Sequence, residues 1–126
     1  MKVSEKQRRV KELIKGIRPD FTVLFDNSRR CKRLLASAKC PFKEIKFRRP
    51  IWGCTLQGCL ECACHEMAHI FQWEMTGKTQ HDKEFLEIKN MLIEDYVGAD
   101  VNVANKSSRI AESEYDIDGE TEWDID

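Results

Sequence analysis

His65-Glu66-Met67-Ala68-His69, with His81 twelve residues after it, is the stretch on which the reading of this chain turns. On a helix, imidazoles four residues apart lie one turn apart on the same side and can share one zinc ion. The residue between them, Glu66, is carried to the edge of that face, within reach of a metal-bound water. With three His and thirteen Glu in 126 residues, chance would produce the pattern in about one chain in a hundred. All three histidines of the protein are used by the arrangement.

The flanking residues predict the helix itself. At 3.6 residues per turn, His65, His69, Cys62, Trp73 and Glu66 fall within about 100° of one another. Leu56, Cys59, Leu60, Ala63, Cys64, Met67, Ile70 and Phe71 form a broad apolar stripe on the other side, as a core-facing helix requires. Thr55 suits the N-cap and Gly77 the C′ position, giving roughly twenty residues. Gly58 predicts an irregular or delayed first turn. The bland alternative, an amphipathic helix with two surface histidines, accounts for neither Glu66 nor His81.

At 126 residues, 41% hydrophobic and 34% charged, the chain fits one globular domain with a core of its own. No apolar run approaches the eighteen or more residues of a membrane span, and the start, Met1-Lys2-Val3-Ser4-Glu5-Lys6, lacks the apolar centre of a signal peptide. An intracellular, cytoplasmic protein with no membrane partner is expected, and with it reduced thiols at cysteines 31, 40, 54, 59, 62 and 64. Core packing is the favoured role for these cysteines over a second zinc site, because Cys31 and Cys40 are too far apart in sequence for one ligand turn.

The net charge of −1 hides a strong division. Residues 1–50 carry +11, residues 51–110 carry −4, and residues 111–126 hold eight acids and no base. A basic front favours a polyanionic partner such as DNA, and the acidic end could dock on it. The first helix is expected to open on a capping box of Ser4 and Gln7, to bury Val10, Leu13, Ile14 and Ile17, and to end before Pro19. Its other face, Lys6, Arg8, Arg9, Lys11 and Lys15, reads as basic and solvated.

Residues 22–52 turn to strand patterns. Thr22-Val23-Leu24-Phe25, the run from Lys32 to Ala38, and Glu44-Ile45-Lys46-Phe47-Arg48 predict a three-stranded antiparallel meander whose edge could take a peptide as a further strand. After Gly77, His81 stands at the start of a second helix, capped by Asp82 or by His81 itself, with Phe85, Ile88, Leu92 and Tyr96 as its apolar face. A third ligand from a separate segment, plus one water, makes the open four-coordinate arrangement of a catalytic zinc site.

Together, His65-Glu66-Met67-Ala68-His69 and His81-Asp82-Lys83-Glu84-Phe85 resemble the active-site region of the SprT-like zinc metalloprotease family, in which H-E-x-x-H is followed by a segment of the type H-G-x-x-F/W. The likeness in element order spans roughly residues 3 to 96, and Asp82 departs from the family's Gly. It implies an α+β, zincin-like minimal metalloprotease domain. Its expected order is an N-terminal helix, a meander, the motif helix, and a second helix carrying the third His at its start. It further implies one Zn²⁺ held by His65, His69 and His81, and Glu66 as catalytic base. The expected domain is residues 1–110, followed by an acidic, disordered tail over residues 111–126. The expected activity is zinc-dependent hydrolysis of protein or peptide substrates, with DNA association through the basic half. A non-catalytic, zinc-stabilised module for nucleic acid or protein is the alternative, and Glu66 weighs against it.

Overall fold

A threonine and a glycine set the ends of the longest helix. In the computed structural model, which describes residues 1–30 and 34–98, Leu56–Thr76 form a 21-residue helix, α2. The Thr55 side chain accepts from the Gly58 N–H at its start. At its end Gly77 adopts φ 76° and donates to the Trp73 carbonyl, a left-handed cap that only glycine takes without strain. Gly58 leaves the first turn regular, contrary to the sequence expectation, because its N–H takes the cap bond.

Helix α1 (Val3–Ile17) packs on α2. Its capping box does not form. Lys2 is the N-cap with no side-chain bond, and Gln7 instead donates to Asn27 Oδ1 at 3.1 Å. The basic face also needs correction. Lys6 is 0% exposed, because the helical period puts it at the margin of the stripe formed by Val3, Val10 and Ile14. Its Nζ donates to the carbonyls of Trp52 (3.1 Å) and Cys54 (2.7 Å).

Three strands follow: β1 (Thr22–Asp26), β2 (Ala36–Lys39) and β3 (Glu44–Arg48). The α+β class and element order hold, but the sheet is mixed and is not an antiparallel meander. Its order is β1-β3-β2, with β1 parallel and β2 antiparallel to β3. Alternating hydrophobicity fixes which side chains point inward; it does not fix strand direction. Residues 27–35 are enough chain to pass one strand position, about 10 Å across two spacings. That leaves the centre to β3, whose Ile45 and Phe47 are fully buried. Strand β2 pairs only from Ala36, and Leu34 remains 48% exposed. The turn to β3 is a short 3₁₀ segment, Cys40–Phe42, closed by Lys43 at φ 50°.

Phe47 and Phe25 pack on Trp52, with ring centroids 5.9 and 5.5 Å away, so the turn Arg49–Gly53 is anchored where the chain enters α2. Beyond α2, helix α3 (Lys83–Leu92) returns along it, capped by Asp82, which accepts from the Phe85 N–H. Phe85 and Leu92 are buried. Tyr96, expected on the same face, is 52% exposed, because Ile93–Val97 form a wider π-type turn that swings position 96 outward and buries Ile93. The acidic tail expected over residues 111–126 lies outside the described residues. Among the described residues no helix is long and apolar enough to cross a membrane, and Cys40, Cys54, Cys59, Cys62 and Cys64 are buried.

Candidate metal centre

His65 and His69 stand one turn apart on α2, their ring centroids separated by 5.0 Å. Gly77 reverses the chain, and residues 78–82 bring His81 back over them. His81 Nε2 then lies 3.2 Å from His65 Nε2 and 3.0 Å from His69 Nε2. Among the described residues this is the one group of three ligand-bearing side chains whose donor atoms converge as a metal site requires. Metal–nitrogen bonds of about 2.0–2.1 Å at a tetrahedral angle would separate the nitrogens by roughly 3.3 Å, so the triad fits a single ion with little adjustment. His65 and His69 are half-buried and His81 is exposed, so the group is approachable from the His81 side.

Phe85, four residues after His81, forms an apolar floor. Its ring centroid lies 4.9, 4.5 and 5.0 Å from those of His65, His69 and His81. Burial pushes His65 down to about 3, helped by the charge of Lys89 and then by the other two imidazoles. Burial likewise takes His69 down to about 4, with His81 and Lys89 adding to it. Both rings are therefore neutral at pH 7 and present lone pairs.

Glu66 is 8% exposed, and burial pushes its carboxyl up to about 7. Burial first, and the Glu66 charge second, raise the thiols of Cys40 and Cys62. Cys62 stays outside the ligand group, in keeping with a packing role.

The sequence reading missed Gln72. It is buried on α2, three residues after His69 and therefore on the ligand side. Its side chain is bonded to Thr79, Gln80, Asp82 and Glu84. A polar residue at that helical offset from two ligands was the available signal.

Comparison with known proteins places this geometry. A family model described as the SprT-like family matches residues 3–106. Among solved structures, the metallopeptidase zymogen of Pyrococcus abyssi abylysin is similar over 92% of this chain and 99% of that chain, with a TM-score of 0.54 and 14% identity. At that identity the likeness shows a shared, metallopeptidase-type fold. No curated protein gave a match.

Proposed function

The chain belongs to the SprT-like family, and from that premise we propose that it is a zinc-dependent endopeptidase in which His65, His69 and His81 hold the ion and Glu66 moves the proton. The observation that carries this reading is the meeting of three imidazoles, with Nε2 of His65 and of His69 at 3.2 and 3.0 Å from His81 Nε2. The helix that bears the first two also bears a buried glutamate at the position after His65. A site that only stabilised the fold would have no use for that acid.

When bound, zinc supplies a Lewis acid that brings the pKa of water to about 7 and polarises a peptide carbonyl. The chain supplies the rest. His65, His69 and His81 would hold the ion, the first two as rings whose burial keeps them neutral, and Phe85 packs against all three imidazoles. Glu66 accepts the proton of the attacking water and returns it to the departing amide nitrogen. A carboxyl that titrates near the working pH serves both steps. Strand β2, at the sheet edge and against α2, supports placement of an extended peptide beside the site.

Association with DNA through the basic N-terminal half, residues 1–50, is part of the same proposal. Arg8, Arg9 and Lys11 on α1, and Arg29 and Arg30 after β1, are exposed, which supports electrostatic contact with phosphates.

The test joins a metal assay to casein hydrolysis and self-cleavage, with and without single-stranded DNA. The full chain should hold one zinc per molecule and cleave. Glu66→Gln should hold zinc and lose cleavage. Full activity in that variant rejects the role given to Glu66, and absence of bound zinc in the wild type rejects the whole reading.

A further inference from the structure

Gln72 is 2% exposed, and both ends of its amide are bonded. Its Nε2 donates to Asp82 Oδ1 at 2.8 Å and to Glu84 Oε1 at 3.3 Å. Its Oε1 accepts from the Gln80 N–H at 2.9 Å and from the Thr79 hydroxyl at 3.0 Å. A backbone N–H can only donate and a carboxylate can only accept, so these neighbours fix which way the amide points.

That orientation settles the next proton. Gln72 Oε1 has none to give, so the single hydroxyl proton of Thr79 is committed to it. Thr79 Oγ1 also lies 2.7 Å from His69 Nδ1, and with its proton spent it can only accept there. In the neutral ring of His69 the hydrogen therefore sits on Nδ1, and Nε2, the atom 3.0 Å from His81 Nε2, carries the lone pair.

We propose that Gln72 and Thr79 form a proton-orienting relay that sets the tautomer of His69 for metal binding, while the amide of Gln72 holds residues 79–84 so that His81 faces the same point. Both are positioning residues; neither touches substrate. Asp82, which replaces the family's glycine, gains a role here, since it caps α3 and takes the Gln72 amide. The proposal rests on the reading that the three imidazoles hold an ion. It goes beyond that reading in naming what selects the ligating nitrogen.

A purely structural pin would need Gln72 alone, so Thr79 separates the two roles. The experiment uses the full chain with ¹⁵N-labelled histidine, and reads ring tautomers by long-range proton–nitrogen spectra of the metal-free protein. Zinc affinity is read by competition with a chromophoric chelator, and folding by urea melts. The wild type should show His69 protonated on Nδ1. Thr79→Val should lose that signature and bind zinc about 10- to 100-fold more weakly, the range seen for loss of a ligand's hydrogen-bond partner, while melting near the wild type. Thr79→Ser should restore both readouts. Gln72→Leu should weaken zinc at least as much, and Gln72→Leu combined with Thr79→Val should cost less than the two separate losses together. An unchanged tautomer and unchanged affinity in Thr79→Val overturns the relay, as does a wild-type ring protonated on Nε2. If the wild type binds no zinc the metal reading fails, and the metal-free spectra still decide the relay.

Discussion

Lys6 Nζ lies 2.7 Å from the carbonyl oxygen of Cys54, a bond that spans 48 residues of chain and ties α1 to the start of the motif helix. A second bond to the Trp52 carbonyl makes Lys6 the donor for a turn whose carbonyls have left helical pairing. Removing it takes a charged donor away from two buried carbonyls, of which that of Cys54 also accepts weakly from Cys59 Sγ, at about 1–3 kcal/mol each before relaxation. Lys6→Met should therefore destabilise by about 2–4 kcal/mol in urea melts. Lys11→Met, on the exposed side of the same helix, should stay within about 0.5 kcal/mol. Equal effects from the two would show that the buried bonds contribute nothing.

Lys6 also shows where a sequence stops being legible. The helical period places it at the edge of an apolar stripe, but nothing in the pattern announces that two carbonyls 46 and 48 residues away will need a donor. The motif helix is readable to its caps, because Thr55 and Gly77 act on neighbours within one turn. The convergence of His81 is readable because a short loop limits where it can go. Strand direction is not, since Val23, Ile45 and their neighbours alternate identically in parallel and antiparallel pairings. Tyr96 departs from its expected face because extrapolation at 3.6 residues per turn fails at a wider turn. Gln72 escapes a reading of periodicity because its partners arrive from a loop whose course follows from the fold.

If three imidazoles converge on one ion, metal should act as a folding ligand. Zinc at a hundredfold excess over its dissociation constant adds about 2.7 kcal/mol to stability, and a chelator removes it. His81→Ala should abolish most of that gain while leaving the metal-free protein little changed, because His81 is exposed. The metal-free form should also be acid-sensitive. His65 and His69 sit at about 3 and about 4 in the fold, below the ordinary value near 6.5. Unfolding takes up protons in that window, so this contribution is full above about pH 6.5 and falls as pH drops toward about 4 for His69 and about 3 for His65. A melting temperature indifferent to zinc would sink the shared-ion geometry.

Glu66 should impose the opposite slope. Its carboxyl is raised to about 7 by burial, above the unfolded value near 4.3. In the metal-free protein its contribution is therefore most favourable below about pH 4.3 and declines as pH rises to about 7, by about 1.36 kcal/mol for each pH step of one between those values. Glu66→Gln, which carries no charge to bury, should be more stable than the wild type by about 1–3 kcal/mol at about pH 8, with the gap closing by about pH 5. Chemical denaturation of both proteins with chelator across that range gives the answer, and a gap independent of pH would show that burial does not load this carboxyl.

The ends of α1 and α2 are joined by Arg18, whose guanidinium contacts Glu74 at 2.8 Å and Asp20 at 2.9 Å. Hydrogen bonds from Arg18 hold both carboxyls below their ordinary range. Depressed carboxyls stabilise above their unfolded pKa near 4 and lose that contribution on further acidification. Glu74→Gln should accordingly show a small deficit at about pH 7 that vanishes near pH 2 and shrinks in high salt, because the pair is partly exposed. A deficit unchanged at low pH would assign it to packing and not to charge.

Polyanion binding offers the last separation, between the proposed peptidase activity and the proposed association with DNA. Arg8, Arg9 and Lys11 share the exposed side of α1. Arg8 is paired with Glu12 at 2.9 Å, but an exposed pair of this kind is worth well under about 1 kcal/mol and yields to a phosphate. Each contact with single-stranded DNA should contribute about 0.7 to the slope of log affinity against log salt. Replacing all three residues by Gln should lower that slope by about 2 and weaken binding most at low salt. Zinc content and casein cleavage without DNA should not change, since none of the three is among the site's residues. An unaltered slope would place any DNA contact on other basic residues. Loss of cleavage without DNA would mean that this face serves the fold and not recruitment.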